Sequence, residues 1–401
     1  MIGSFVLLLA SLMAQEALLE ATHRDDLEAS LRFIRSGANV NASTDLGVTP
    51  LWNACLNGNL ALVNALLDKG ASPNLALLRG ETPLMIAARS GHTAIAERLL
   101  LKGALPNALG PRHQTALMWA ASDKRAAVVR VLLAHGADPQ LKSSEWSQMM
   151  AVPPHGYPGY NQMIPHGGQT ALVFAARVGD LESAKMLVAA GADVNGADAW
   201  GVTATGYAAF GGFTELVEFL LDHKADANLA KAGFAPLHCA IARRDDRMVK
   251  ALLAHGADPN LPLQTWTPTR RSSKDFHFEP ELVGANPFWL AARFLAPGVM
   301  RMLLDHGADA RPVHRARSIR EKDFEEHFET TTALMAAVGL GSGSPWVAAP
   351  RAQREALALE AVRIALAVGV DPGAKDESGR TALSGAEAAG YASVVALLTG
   401  R

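Results

Sequence analysis

The sequence lacks the motifs that usually identify an enzyme. It has no Gly-x-Ser-x-Gly segment, no phosphate-binding glycine loop followed by lysine, and no Gly-x-Gly-x-x-Gly segment after a strand. It also lacks an excess of one charge, because 37 Lys and Arg stand against 39 Asp and Glu. Without a basic excess, the composition does not favour a nucleic-acid partner. We therefore expect a non-enzymatic protein with no cofactor and no nucleic-acid partner.

Paired metal-binding motifs are absent as well. There is no His-Glu-x-x-His and no Cys-x-x-Cys. Histidines with carboxylates nearby do occur in irregular segments, at His155, His166, His277, His314 and His327. Imidazoles and carboxylates are suitable ligands, but none of these histidines has a recognised ligand spacing. We expect no metal. The alternative hypothesis is a small-molecule or metal-binding site in these segments. Its strongest form includes hydrolytic activity at that site.

Long apolar runs are also missing. The apolar run at residues 5–14 is too short to span a bilayer, so no membrane span is expected. It resembles a short signal peptide cleaved near Ala14, although no Lys or Arg precedes it and Leu12 is bulky for its position. We expect residues 1–14 to be a signal peptide and the protein to be periplasmic or secreted. The alternative is an apolar helix that covers the start of the fold of a cytoplasmic protein.

What the sequence does contain is a glycine that returns every 33 residues. These glycines are Gly37, Gly70, Gly103 and Gly136. A fixed period of this size is typical of stacked repeats rather than of one globular core. Cys55 and Cys239 fall several repeats apart, and stacked helices are spaced by about 8–10 Å. The two cysteines are therefore too far apart for a disulfide.

One period, residues 80–112, shows what each position does. Thr82 is placed to cap a first helix, and Pro83 follows at the first helical position, where the missing N–H costs nothing. Gly91 can adopt the left-handed conformation that ends this helix. Leu99 belongs to an apolar stripe at helical spacing on a second helix, which Gly103 ends. Each period therefore predicts a helix pair followed by a turn that reaches toward the next threonine.

This unit resembles the ankyrin repeat. The hallmark segments are Thr49-Pro50-Leu51-Trp52, Thr82-Pro83-Leu84-Met85, Ala235-Pro236-Leu237-His238 and Gly191-Ala192-Asp193-Val194-Asn195. The resemblance implies an all-α ankyrin-repeat solenoid of about ten helix-turn-helix units with extended finger loops, covering residues 15–401 as a single domain. The units at both ends depart from the hallmark, as expected of terminal caps. Lys224 replaces a capping glycine, which should cost a little stability if its backbone is left-handed.

The period breaks at four insertions of 13–22 residues, near 146–166, 266–283, 311–329 and 340–354. The first three fall in the finger turns and emerge from one edge of the stack. The fourth falls between the two helices of one repeat. The third runs from basic to acidic residues, from Arg311 to Glu329, and we expect a self-paired or solvated helix-like loop. Insertions on one face of a repeat array often surround its binding site.

The candidate binding residues are aromatic and arginine side chains at positions that are usually exposed in the family. They are Trp200, Phe210, Phe234, Arg177, Arg243, Arg293 and Phe294. These residue types dominate protein–protein hot spots, and an exposed patch of them marks a partner site. We therefore expect a monomeric scaffold that binds a protein or peptide in its concave groove. The alternative is that the insertions fold back and bury these residues. A second series, Trp119, Phe174 and Tyr207, is expected to pack as core.

The signal-peptide hypothesis is tested by N-terminal sequencing of protein purified from its source. We expect the mature chain to begin at Gln15, because the apolar run ends at Ala14. Leu12→Arg should block cleavage, since it places a charge at the recognition site. A mature chain that still begins at residue 1 or 2 would contradict export by this route.

Overall fold

The computed structural model describes residues 2–151, 161–267, 278–319, 325–341 and 349–400, with the backbone alone for residues 2–12. These residues contain twenty α-helices and two two-stranded sheets. The chain divides into two compact units. Unit 1 comprises Met1–Glu145 and Gly167–Asp198, and unit 2 comprises Trp146–His166 and Ala199–Arg401. The mostly helical repeat architecture confirms the all-α expectation, and the small sheets are an addition to it.

Unit 1 consists of helix pairs joined by turns. Its helices are α1 (Ile2–His23), α2 (Leu27–Arg35), α3 (Pro50–Asn57), α4 (Leu60–Asp68), α5 (Pro83–Ser90), α6 (Thr93–Leu101), α7 (Ala116–Ser122), α8 (Ala126–Ala134), α9 (Ala171–Val178) and α10 (Leu181–Ala189). Within each pair the two helices pack together, and each first helix also packs on the first helix of the next pair. The narrow contact between first helices is made by buried small residues such as Ala87, Ala88, Ala120 and Ala121.

Unit 2 repeats this arrangement with longer connections. Its helices are α11 (Ala204–Gly211), α12 (Thr214–Asp222), α13 (Pro236–Arg243), α14 (Asp246–Ala254), α15 (Pro287–Arg293), α16 (Pro297–Asp305), α17 (Ala333–Ala337), α18 (Arg351–Ala367), α19 (Ala382–Ala389) and α20 (Ala392–Thr399). The first helix α17 has five residues, whereas its partner α18 has 17. Part of the fourth insertion therefore extends α18 at its start instead of forming a free loop.

Two insertions form antiparallel hairpins, β1 (Trp146–Ala151) with β2 (Asn161–His166), and β3 (His314–Ile319) with β4 (Glu326–Thr331). The prediction that residues 311–329 form a helix-like loop is wrong. Strand β3 buries His314, Ala316 and Ile319, a spacing near the two-residue period of a strand. The expected self-pairing is present, because Arg317 of β3 forms an ion pair with Glu326 of β4.

The first helices begin as the sequence predicts. The hydroxyls of seven threonines accept a hydrogen bond from the backbone N–H three residues later, namely Thr49, Thr82, Thr115, Thr170, Thr203, Thr332 and Thr381. Ala235 has no hydroxyl. There the backbone N–H of Ala235 donates to Nδ1 of buried His238, and Nε2 of His238 lies 2.8 Å from the carbonyl of Leu261. Burial lowers the pKa of His238 to about 4, so the ring is neutral at pH 7.

Amide side chains join successive repeats. Nδ2 of Asn74 donates to the carbonyl of Gly103 at 2.9 Å, and its Oδ1 accepts from the backbone N–H of Leu105 at 2.9 Å. The same two bonds recur with Asn41, Asn107, Gln140, Asn228 and Asn260. Each amide therefore satisfies a carbonyl at a helix end that has no partner within its own helix. We refer to this arrangement as the amide clamp.

Helix α1 runs without interruption through Ala14, the point at which cleavage is expected. Its last turns are part of the fold, since Leu18 and Ala21 are buried. Among the described helices, none combines the length and the hydropathy of a bilayer-spanning segment. Removal of residues 1–14 would leave these buried positions in place, so export stays a prediction.

Lys224 stands where most repeats have a glycine, and its backbone is left-handed, with φ of 68°. A side chain with a Cβ is strained in this conformation. We expect Lys224→Gly to raise the free energy of unfolding by about 0.5–1 kcal/mol, as measured by denaturant titration. Lys69→Gly is the matched control, because Lys69 has an ordinary φ of −95° and the change should lower stability. If both substitutions changed the free energy of unfolding equally, the proposed backbone strain at Lys224 would be contradicted.

Candidate functional site

The series expected to form core is only partly buried. Trp119 is buried, and its Nε1 donates to Oε1 of Gln114 at 2.9 Å. The guanidinium of Arg89 lies 5.7 Å from the centre of the Trp119 ring. Phe174 in unit 1 and Tyr207 in unit 2 are half-buried. Core packing is therefore confirmed for Trp119 and incomplete for the other two.

Phe234 does not have the exposed position that the sequence predicts. It is 5% exposed and contacts Trp200 edge to face, with ring centres 5.9 Å apart. Its other neighbour is Phe278 from the second insertion, with ring centres 5.8 Å apart. Phe278 is fully buried and also contacts His238. The end of the insertion therefore folds back over this finger turn, and Trp200 remains half-buried beside it.

Arg293 and Phe294 are buried too, contrary to the prediction. Arg293 is 3% exposed and donates to the carbonyls of Leu340 and Gly341, at 3.5 and 3.2 Å. For Arg293 these carbonyls belong to the chain that enters the fourth insertion, a contact that the spacing of the repeats does not reveal. Burial lowers the pKa of Arg293, while the negative charges of Glu279 and Glu329 act in the opposite direction.

The other predicted residues lie at the surface of their units. In unit 1, exposed Arg177 donates to Oε1 of Gln169 at 3.0 Å. In unit 2, exposed Arg243 donates to the carbonyl of half-buried Phe210 at 3.2 Å. Arg243 also covers Gly212, where a Cβ would collide with the guanidinium. Arg243 therefore has a role in joining repeats, and partner binding by these residues stays a prediction.

A cavity of about 290 Å³ lies in unit 2 beside α15, α17 and α19. Beside it α17 stops at Ala337 after five residues, whereas the first helices α3, α5, α7, α9, α11, α13, α15 and α19 have seven or eight. After α17 the chain turns back, and the N–H of Leu340 bonds to the carbonyl of Met335. Gly385 of α19 makes this path possible, since a Cβ there would lie 2.8 Å from side-chain carbons of Val338 and Leu340.

Two arginines line this cavity together with apolar side chains. The six lining residues that define its chemistry are Arg293, Leu295, Val338, Leu340, Arg354 and Tyr391. No Asp or Glu belongs to the described lining. Nε of Arg354 is shielded from solvent and has no hydrogen-bond partner within the part of the chain that the structure describes. The described lining therefore combines two arginines with apolar side chains.

A group of buried polar atoms lies directly behind Gly341. A Cβ on Gly341 would be 3.7 Å from both Oγ1 of Thr331 and a ring carbon of Trp289. The Trp289 and His314 rings are 4.3 Å apart, and His314 is opposite Thr331 in the hairpin. Among the described residues, Nε1 of Trp289, Nδ1 of His314 and Oγ1 of Thr331 have no partner. Buried polar groups without partners are rare and usually have a cause.

The protonation state of the His314 ring follows from the groups around it. Burial lowers the pKa of His314 below its ordinary value, and the nearby charge of Arg293 lowers it further. The ring is therefore neutral at pH 7, with Nε2 donating to the carbonyl of Glu281 at 2.8 Å. Sequence reasoning considered His314 only as a metal ligand and did not consider Arg354. The sequence feature that could have pointed to this region is the early break of the repeat after Gly339.

The repeat hallmarks match known family models. A model described as ankyrin repeats (3 copies) matches residues 70–143 and 172–262, and one described as ankyrin repeat matches residues 46–75. The chain is an ankyrin-repeat protein. The matched segments end at residue 262, so the cavity of unit 2 lies beyond the ankyrin repeats that the models recognise.

Several curated proteins are similar to parts of this ankyrin chain. Ankyrin repeat and MYND domain-containing protein 1 of Mus musculus is 51% identical over 49 residues, which is 12% of this chain and 5% of that protein. Serine/threonine-protein kinase 12 of Arabidopsis thaliana is 33% identical over 115 residues, 28% of this chain and 25% of the kinase. BCL-6 corepressor-like protein 1 of Homo sapiens is 35% identical over 98 residues, which is 24% of this chain and 6% of that protein. The chain thus spans a quarter or less of each.

The insertions of this ankyrin chain show no metal centre where they are described. No group of three His, Cys, Asp or Glu side chains in the described residues is close enough to hold a metal ion. His166 stacks on Trp146 across the first hairpin, with ring centres 5.5 Å apart. His155 and His277 lie outside the described residues. His166 therefore packs against an aromatic ring, and Nε2 of His314 bonds to the carbonyl of Glu281.

The folded-back second insertion is tested by Phe278→Ala. Because Phe278 is fully buried against Phe234 and His238, the substitution should lower the free energy of unfolding by about 3 kcal/mol. Phe328→Ala is the matched control. Phe328 is 40% exposed and lies under the guanidinium of Arg315, so its loss should cost about 1 kcal/mol or less. A Phe278→Ala protein as stable as the control would show that the insertion is not part of the core.

Proposed function

We propose that this protein is a non-catalytic scaffold that binds a protein or peptide partner, and that all ten of its helix pairs are ankyrin repeats. The repeat count rests on pairs outside the matched segments that keep the same construction. Asn286, Thr332 and Thr381 cap their first helices as the matched threonines do. Asn260 also forms the amide clamp with Gly307 and Asp309.

The observation that carries the binding function is a row of exposed leucines in unit 1. Leu46, Leu78 and Leu109 occur in three successive finger turns, the segments that connect each second helix to the next first helix. Their exposed fractions are 67%, 75% and 52%. Single exposed leucines are normal on a protein surface, whereas an extended apolar patch marks an interaction site.

The three turns are in direct contact, so the leucines form one row. The N–H of Leu78 donates to the carbonyl of Leu46 at 3.1 Å. In the next turn, a Cβ on Gly80 would lie 3.3 Å from the carbonyl of Leu109. Glycine in the turns therefore brings the backbones close together. The leucine side chains are not needed for this contact, because it is made by backbone atoms.

A protein partner explains this row better than a small molecule does. The row lies on projecting turns and is more than half exposed at each of its leucines, whereas small-molecule sites are concave and bury most of the ligand. Ankyrin repeats are modules of protein–protein interaction, and protein interfaces bury apolar cores within polar rims. Asp45 and Arg79, which adjoin Leu46 and Leu78, are exposed and supply polar groups for such a rim.

The test is capture of partners from an extract of the source organism by the immobilised chain, followed by mass spectrometry. The triple variant Leu46→Ser, Leu78→Ser, Leu109→Ser should lose at least about 90% of the captured partner. Surface changes of this kind alter stability by about 0.5 kcal/mol each or less, so the fold should persist. Leu101→Ser is the matched control, because Leu101 is 66% exposed and is the last residue of α6, outside the finger turns.

Full capture by the triple variant would contradict the proposal. The variant Trp200→Ala, Phe210→Ala then decides whether these two predicted aromatic residues act instead, since both are half-buried. Loss of capture with this pair alone would move the binding site to unit 2.

We also propose that binding takes place outside the cytoplasm, which rests on the apolar N-terminal run alone.

A further inference from the structure

Three buried polar side-chain atoms of unit 2 point to an internal binding site. They are Nε1 of Trp289, Nδ1 of His314 and Oγ1 of Thr331, and none has a hydrogen-bond partner among the described residues. The three residues are 2%, 3% and 0% exposed. Buried polar groups in folded proteins nearly always bond to a protein group, a water or an ion, so three orphaned atoms in one region need a common explanation.

The three side chains are neighbours in pairs. The Trp289 and His314 rings have centres 4.3 Å apart. His314 and Thr331 are directly opposite each other in the β3–β4 ladder, where the Cβ atoms of facing residues are about 4.5–5.5 Å apart. Thr331 and Trp289 both approach Gly341, since a Cβ on this glycine would lie 3.7 Å from Oγ1 of Thr331 and 3.7 Å from Cζ2 of Trp289. The three groups therefore form one cluster.

Gly341 leaves space beside this cluster. The described atoms nearest to the position of a Cβ on Gly341 are 3.7–3.8 Å from it, so the side of the glycine that faces Thr331 and Trp289 is not filled by another side chain of the described residues. A buried water needs only the space of about one probe sphere, together with two to four polar partners. The cluster supplies three such partners.

The pattern of donors and acceptors decides which kind of molecule fits. Nε1 of Trp289 can only donate, and the hydroxyl of Thr331 can donate or accept. Nε2 of His314 donates to the carbonyl of Glu281 at 2.8 Å, so Nδ1 of the neutral ring can only accept. A metal cation does not fit, because an indole N–H has no free lone pair. An anion does not fit, because the lone pair of Nδ1 repels it.

We propose that Trp289, His314 and Thr331 bind one internal water molecule. The water accepts from Nε1 of Trp289, donates to Nδ1 of His314 and forms its third bond with Oγ1 of Thr331. Three bonds are the usual number for a buried water. Trp289 belongs to α15, whereas His314 and Thr331 belong to the β3–β4 hairpin. The water therefore joins the third insertion to the helix pair that precedes it.

The first experiment is nuclear magnetic resonance of the deuterated, 15N-labelled full chain. We expect the indole proton of Trp289, assigned by its loss in Trp289→Phe, to show a nuclear Overhauser effect to water with the sign of a long-lived bound molecule. Trp119 is the internal control. Its Nε1 donates to Oε1 of Gln114 at 2.9 Å, so its indole proton should lack this effect. An effect at Trp289 no larger than that at Trp119 would overturn the proposal.

The nitrogen chemical shifts of His314 are a second readout on the unaltered protein. We expect Nε2 to carry the proton and Nδ1 to have the shift of an unprotonated nitrogen that accepts a hydrogen bond. A proton on Nδ1 would overturn the proposal, because the water could then not donate to this atom.

Variants of Thr331 test the third partner. Thr331→Val keeps the shape of the side chain and removes the hydroxyl, so most of the water effect at Trp289 should be lost. Thr331→Ser keeps the hydroxyl and should preserve the effect. Denaturant titration should show that Thr331→Val lowers the ratio of folded to unfolded protein by about five-fold, the value of one hydrogen bond. A higher ratio would mean that the hydroxyl has no partner in the folded protein, which would overturn the proposal.

A high-resolution crystal structure of the full chain locates the molecule directly. We expect one oxygen at about 2.7–3.2 Å from Nε1 of Trp289, Nδ1 of His314 and Oγ1 of Thr331. A protein group in its place, or no density there, would overturn the proposal.

Discussion

The amide clamp is the interaction on which the stacking of the repeats depends. One side chain donates to a glycine carbonyl at the end of the next second helix and accepts from an N–H two residues further on. These backbone groups lie where a helix leaves its carbonyls unpaired. The clamp therefore satisfies a helix end and sets the spacing of neighbouring repeats in one step. Apolar packing between helices adds most of the energy but does not by itself select this register.

The clamp also explains how the chain tolerates long insertions. In regular repeats it joins residues 28 or 29 apart, as for Asn74 and Gly103. Gln140 and Gly191 are 51 residues apart, and Asn260 and Gly307 are 47 apart, yet the same bond forms. The extra residues leave the array after the clamp and return before the next first helix. A finger turn can therefore grow into a hairpin at small cost to the stack, because the cost of a longer loop rises slowly with its length.

The conformation or burial of a residue could be predicted from the sequence where it depends on neighbouring residues in the chain. Thr82 caps its helix, and Lys224 has a left-handed backbone, because both properties are decided by the few residues around them. Phe234 and Arg293 were expected at the surface and are buried, because they contact segments of insertions outside the repeat pattern. Phe294 is buried as well. Arg354 was not singled out from the sequence, because it lies near the start of α18, a helix that begins inside an insertion.

The sequence by itself determined the repeat, its ankyrin family, the caps of its helices and the places where the period fails. Each of these depends on residues at short, regular separations, which a linear pattern records directly. Tertiary structure alone decided which side chains the insertions cover, and which leucines remain exposed on the finger turns. It alone also placed a cavity lined by Arg293 and Arg354 beside the short helix α17. Those outcomes depend on where irregular chain segments return in space, and no periodicity specifies that path.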